Sequence, residues 1–174
     1  GLRYPKTALP VASQSIGTLE IHPIDLIGAY GAIANGGVLM PRRTILRVLD
    51  GSGAQVWPPE GEKRKGTRVA ARGAAYIVTD ILAGNTDPRQ NPFWGKFRIT
   101  EGDRRRPATL KTGTNNDALD LNAFGYIGAP NTDERARGEY ALAVGAWNGN
   151  SDNSPVSSAS DPLFSIDVTT YVWQ

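Results

Sequence analysis

The chain has 174 residues, 40% of them apolar, which suits a globular domain on length alone and argues against general disorder. Its formal net charge is only +2, from 19 Lys and Arg against 17 Asp and Glu, so the nucleic-acid-binding class, which needs a basic face, is not expected. There is no cysteine, and the single histidine, His22, has no second His beside it; disulfides, thiol nucleophiles and a His- or Cys-based metal site are therefore not expected.

Gly1 to Ser15 has no clear period and reads as the body of a connecting segment, 1–16. From Pro23, a residue at home in a first helical turn, Ile24, Ile27, Ala32 and Ile33 fall on one helical face. Asn35-Gly36-Gly37 stops that helix, because glycine accepts the left-handed conformation of a C-terminal cap. Thr44 to Leu49 and Ala54 to Trp57 flank Asp50-Gly51-Ser52-Gly53 and predict a β-hairpin. Pro58 to Gly66 is polar and rich in breakers, hence a loop, and its Lys63-Arg64-Lys65 reads as solvated. A second helix is predicted where Ala74, Ile77, Val78, Ile81 and Leu82 recur at three- and four-residue spacing, closed by Gly84 and Pro88. Asn85 to Pro107, with the solvated triplet Arg104-Arg105-Arg106, is expected to be a long irregular rim or lid.

Three strands are predicted next: Ala108 to Thr112, Ala123 to Ile127 and Tyr140 to Trp147. The last is apolar on both faces and so is expected to be covered on both. Short connections favour antiparallel pairing. Ser160-Asp161-Pro162 then looks like the start of a closing helix carrying Leu163, Phe164, Ile166, Tyr171 and Trp173. Helices followed by consecutive strands and a closing helix indicate an α+β class. One unit is expected over 1–174, with helices, hairpin and long loop over 17–107, and strands and closing helix over 108–174.

The stretch that carries chemistry is Lys111-Thr112-Gly113-Thr114, at the end of a predicted strand and followed by the polar turn Asn115-Asn116-Asp117. Lys-Thr-Gly occurs in penicillin-binding proteins and class A β-lactamases, which act through a serine nucleophile. A lysine on a strand lining a cleft places positive charge beside such a serine and assists the proton transfer that activates it. The adjacent glycine lets a peptide or β-lactam amide lie against the strand. A following backbone N–H can face the developing oxyanion, and threonine hydroxyls suit a substrate carboxylate. Alternation puts Lys111 and Gly113 on one face and the two threonines on the other, which leaves open which hydroxyl meets the ligand.

The surroundings sharpen this reading. Ile21-His22-Pro23-Ile24-Asp25-Leu26, Ala29-Tyr30, Ala34-Asn35-Gly36-Gly37-Val38, Pro41 and Val48-Leu49-Asp50-Gly51-Ser52-Gly53 precede the motif. Asn115-Asn116-Asp117, Asn122-Ala123-Phe124-Gly125-Tyr126 and Trp147 to Pro155 follow it. In order and approximate spacing, from about Gly17 onward, this series resembles the C-terminal part of the transpeptidase domain of class A penicillin-binding proteins.

The resemblance implies an antiparallel sheet with helices on both faces, and a D,D-transpeptidase that cross-links peptidoglycan stem peptides through an acyl-serine. It implies no metal or organic cofactor, β-lactams as ligands that trap the acyl-enzyme, and a position on the extracytoplasmic face of a bacterial membrane, anchored by a segment outside this chain. By the same token Lys111 supports proton transfer, the Thr114 N–H joins the oxyanion hole, Gly113 permits close approach, and the hydroxyls of Thr112 and Thr114 bind the carboxylate.

Two features qualify it. Ser151-Asp152-Asn153 reads as the family's Ser-x-Asn but follows Lys111 where the family places it before, so it is not expected to be catalytic. No Ser or Thr stands three residues before any of the five lysines, so the family's Ser-x-x-Lys nucleophile is not in this chain, which alone is expected to be inactive. The upstream part of the same domain is then the expected partner, and Leu110, Phe124 and Leu142 are expected to lack part of their cover. A binding or regulatory module that kept the fold without the chemistry is the alternative; a β-lactamase or carboxypeptidase relative is disfavoured by the flanking motifs.

Overall fold

A computed structural model describes residues 2–3, 11–17, 19–128, 133 and 141–174, with the side chains of Ile16 and Glu101 excepted. After a 3-10 turn, Ala12–Ile16, helix α1 runs Pro23–Ala34. It ends as its sequence requires: Gly36 and Gly37 take φ of +61° and +87°, and the Gly37 N–H reaches back to the Ala32 carbonyl at 2.8 Å. The hairpin is present as β2 (Val48–Leu49) and β3 (Gln55–Trp57), antiparallel, though shorter than the apolar runs suggested. Asp50 stiffens its turn by accepting from the Ser52 and Ala54 N–H groups.

Two strand pairs are not foreseen by the sequence. β1 (Val38–Leu39) pairs antiparallel with β4 (Thr67–Arg68), across an excursion that holds the β2–β3 hairpin and the breaker-rich loop. Within the stretch expected to be irregular, β5 (Ile99–Glu101) and β6 (Arg104–Arg106) form a hairpin turned by Gly102, whose φ is +56°. The arginine triplet is thus a strand rather than a solvated loop, and its three residues are half-buried.

The core lies on the sheet β7 (Ala108–Thr114), β8 (Asp120–Ile127) and β9 (Leu142–Gly149), antiparallel throughout and in that order. Alternation sorts its side chains. On one face Ala108, Leu110 and Ala123 pack with Phe97, Ile166 and Trp173, the last from the C-terminal helix Thr169–Trp173. On the other, Phe124 stacks on Tyr30 of α1 at 5.7 Å between ring centroids, and the Tyr126 hydroxyl meets Thr79 Oγ1 of α2 (Arg72–Gly84) at 2.7 Å. Helices therefore cover both faces, as the α+β transpeptidase fold requires.

Three expectations are corrected. Leu110 and Phe124 are not short of cover, at 1% and 3% exposure, because Phe97 and Trp173 close one face and Tyr30 the other. Leu142 is exposed as expected, but β9 as a whole is not covered on both sides: only Ala146 is buried along it. Tyr140, the expected start of that strand, lies outside the described residues. The closing helix begins at Thr169, not near Ser160, because hydrogen bonds among Ser157, Ser158, Asp161 and Leu163 fold that segment into turns. The apolar stripe of α2, whose direction the sequence leaves open, faces away from the sheet. Ala75 and Thr79 turn inward, while Tyr76, Ile77 and Ile81 are exposed.

Candidate active site

Strand β7 is the outer strand of its sheet, so among the described residues one edge has no strand beside it. The residues that leave α2 occupy the first part of that edge. Asn85 Nδ2 donates to the Leu110 carbonyl at 2.8 Å, and the fully buried Thr86 hydroxyl donates to the Ala108 carbonyl at 2.7 Å. Backbone groups alternate along a strand, so the N–H and C=O of Thr112 and Thr114 point to the same open side. Burial falls in step: Ala108 to Leu110 are buried, Thr112 and Gly113 half-buried, Lys111 and Thr114 exposed. Among the described residues, the motif is the end of the strand that no other element caps, its Thr112 carbonyl taking only the neighbouring Lys111.

Asp87 braces the approach to this edge. Its buried carboxylate takes Arg89 at 2.9 Å and Arg105 of β6 at 3.1 Å, tying the end of α2 to the β5–β6 hairpin. The hydrogen bond from the Arg89 side chain, then that from the Arg89 backbone, holds the Asp87 carboxyl well below the usual carboxylate range. The carboxylate is charged at neutral pH, and so is the brace.

The structure brings the four expected residues together and fixes their faces. The Lys111 ammonium donates to the Thr112 carbonyl at 2.6 Å, on the open edge. Gly113 lies directly opposite Asn122 of β8, and a Cβ added there would sit 2.8 Å from Asn122 Oδ1. The glycine therefore serves the protein as well as any ligand, by leaving room for that side chain. On the opposite face, Thr114 Oγ1 lies 3.1 Å from the hydroxyl of Ser165, a buried residue for which the sequence carried no signal.

Beyond Thr114 the chain turns sharply. Asp117 and Ala118 take φ of +62° and +52°, unusual for residues with a Cβ. Asn115 Oδ1 accepts from the N–H groups of Leu119 at 2.7 Å and Asp120 at 3.2 Å, and the Val156 N–H bonds the Ala118 carbonyl at 2.9 Å. These bonds hold the turn as a stiff rim beside the motif. Ser151 is exposed in the turn after β9, two strands from β7. His22 caps no group with its side chain at the start of α1, and among the described residues no cluster of His, Asp and Glu could hold a metal ion.

No family model matches the chain. Among curated proteins it is 26% identical over 165 residues to penicillin-binding protein 2D of Bacillus subtilis, covering 94% of this chain and 21% of that one. Among solved structures it superposes on penicillin-binding protein 1A of Haemophilus influenzae with a TM-score of 0.71 at 14% identity, over 98% of this chain and 28% of that one. The PonA1 protein of Mycobacterium tuberculosis, in complex with penicillin V, gives 0.67 at 17% identity, over 97% and 40%. The chain spans about a fifth of the curated relative and well under half of either solved chain. The chain has the fold of the C-terminal part of a penicillin-binding transpeptidase domain, and along almost its whole length its sequence resembles the penicillin-binding proteins.

Proposed function

We propose that this chain supplies the Lys-Thr-Gly strand of a serine D,D-transpeptidase that cross-links peptidoglycan stem peptides, with the nucleophile on sequence outside the chain. The observation that carries the reading is the edge of β7. Asn85 and Thr86 occupy it as far as Leu110, and the main-chain groups of Thr112 and Thr114 beyond are turned to an open side. An extended peptide ending in D-Ala-D-Ala adds to such an edge as a strand, with Gly113 placing no side chain in its way.

In this reading Lys111 favours loss of the serine proton by its charge. The serine oxygen attacks the penultimate D-Ala carbonyl, and the Thr114 N–H stabilises the oxyanion. The peptide C–N bond breaks and the proton passes to the leaving terminal D-Ala; an amine of a second stem peptide then attacks the acyl carbonyl, forming the new amide bond as the serine C–O bond breaks and the amine's proton returns to the serine oxygen. A β-lactam goes through the first half only, because its ring nitrogen stays tethered after the amide opens. The likeness to a protein solved with penicillin V supports β-lactams as ligands. The stem peptide places the reaction outside the cytoplasm, and no described helix is long and apolar enough to cross a membrane, so an anchor would come from elsewhere in the protein.

The test is covalent labelling of the complete protein by fluorescent penicillin, followed on gels. We expect labelling of the wild type, and for Lys111→Ala a slowing of at least about tenfold, since a nearby opposite charge shifts a neighbouring acid by about 1–3 pKa units. A folded complete protein that takes no label would replace this reading with that of a binding module.

A further inference from the structure

The chain leaves the body of the fold after β1 and returns at β4, and nearly every residue from Pro41 to Val69 is exposed. The β2–β3 hairpin stands in this excursion. Every residue of its two strands is exposed, and neither strand packs substantially on any other element. Both of its faces are nonetheless apolar. Val48 lies opposite Trp57, so the two share a face, and Leu49 turns to the other. The register skips Val56, which bulges out of the pairing, and Leu46 just ahead of β2 is 76% exposed. A lone two-stranded hairpin is marginal in water, and a further strand or a packing surface is what makes such a unit stable. Each strand here has an edge with no strand beside it among the described residues.

Charge says what kind of segment fits. Pro41 to Val69 holds seven Lys and Arg against three Asp and Glu, a net charge of +4 where the whole chain has +2. Arg42 and Arg43 are answered, by Asp25 and Glu62, and the Arg43 guanidinium lies 4.7 Å over the Trp57 ring. Arg47, Lys63 and Lys65 have no carboxylate partner among the described residues. A surface sealed for good inside a domain seldom keeps unpaired cations, whereas the polar rim of an interface does. The tip of the hairpin, Asp50-Gly51-Ser52-Gly53, is acidic and polar, which sets it against insertion into an anionic bilayer. We propose that the β2–β3 hairpin is a docking arm for a partner protein, an acidic extended segment of which adds as a third strand. Its apolar side chains extend the face of Val48 and Trp57 or that of Leu49, and its carboxylates meet Arg47, Lys63 and Lys65. The inference does not depend on the transpeptidase reading.

The experiment selects a phage-displayed library of random short peptides on the complete protein, and in parallel on a variant carrying Arg47→Glu, Lys63→Glu and Lys65→Glu. All three residues are exposed, so the variant is expected to fold and to take penicillin label as the wild type does. The wild type is expected to enrich peptides in which Asp or Glu alternates with aliphatic or aromatic residues. Such a peptide, synthesised with a fluorophore, is expected to bind the wild type at least about tenfold more tightly than the variant, the combined worth of three exposed charge pairs. Its binding weakens with added salt, and it slows hydrogen exchange at the β2–β3 amides. Val56→Asp is expected to lose the same peptides, and it keeps the comparison should the first variant fail to fold. Enriched peptides without an acidic excess, equal enrichment by wild type and variants, or no enrichment overturns the proposal. So does slow exchange of the β2–β3 amides in the complete protein alone, which would give the hairpin to the remainder of that protein. Sedimentation with phosphatidylglycerol vesicles but not with phosphatidylcholine vesicles, lost in the first variant, would give it to a bilayer and overturn the peptide reading.

Discussion

Asp25 lies in the first turn of α1 with its side chain out of solvent, and two guanidiniums reach it, Arg3 Nε and Arg42 Nη1, each at 2.7 Å. The Arg3 hydrogen bond is the largest influence, and with Arg42 it outweighs burial, so the carboxyl is pushed down to about 2. An unfolded aspartate titrates near about 3.9, so the folded state binds the proton less readily than the unfolded chain. The stabilisation is then fully present above about pH 4 and is lost as pH falls through about 2. Unfolding midpoints in denaturant, measured from pH 6 down to pH 2 on wild type and Asp25→Asn, should show the wild type higher at pH 6 and the two converging near pH 2. Curves that stay parallel would mean the carboxylate is not linked to folding. The Lys111–Thr114 run was legible in the sequence because it is a contiguous motif, whereas Asp25 stood there only as one member of the stretch that carries the resemblance, with nothing to mark its two arginine partners. Ser165 was not legible. It acts on Gly113 from 52 positions away, through one hydroxyl, in a segment whose sequence suggested only the start of a helix.

At the scale of elements, the legible features were those set by local chemistry. The paired glycines end α1, Asp-Gly turns the β2–β3 hairpin, and period 3.6 marks α2. β1–β4 and β5–β6 escaped notice for different reasons. The first joins strands only two residues long that are separated in the chain by the whole β2–β3 hairpin and its following loop, and the second writes one strand entirely in arginine, with no apolar alternation to read. The direction of α2 escaped too, since a stripe of apolar residues does not say which neighbour it faces. What fixes α2 in place is polar: Thr79 on Tyr126, Asn85 on Leu110 and Thr86 on Ala108. Thr86→Val keeps the shape of that side chain while leaving the buried Ala108 carbonyl without its donor. It should cost about 1–3 kcal/mol in the stability of the complete protein, read from denaturant midpoints. It should also slow penicillin labelling, because the strand that carries Lys111 is anchored there. A variant as stable and as reactive as wild type would show the cap to be dispensable.

The whole molecule sets what the outward stripe of α2 means. Tyr76, Ile77 and Ile81 of this helix are 69%, 58% and 66% exposed. Scattered exposed apolar residues are ordinary, but three within two turns of one helix, beside half-exposed Val78, make a continuous surface. The chain matches 21% of the curated relative and 40% and 28% of the two solved chains, so the surface has a candidate for its cover: the remainder of the transpeptidase domain proposed above. The sheet needs no such cover where it was expected to, at Leu110 and Phe124; the deficit has moved to the helix. Burying a side chain of this size is worth about 1.5–3 kcal/mol, so Ile77→Ser with Ile81→Ser should destabilise the complete protein by at least about 3 kcal/mol. In the isolated 174-residue segment the same pair should leave the melting temperature nearly unchanged and lower the binding of a hydrophobic dye such as ANS, since there the two side chains meet only water. The contrast between the two settings is the readout. Equal destabilisation in both would place these isoleucines in the segment's own core. No effect in the complete protein would leave the stripe a free surface there, and the incompleteness of this chain would have to be sought on another face, with the exposed edge of β9 at Leu142 and Trp147 the next place to look.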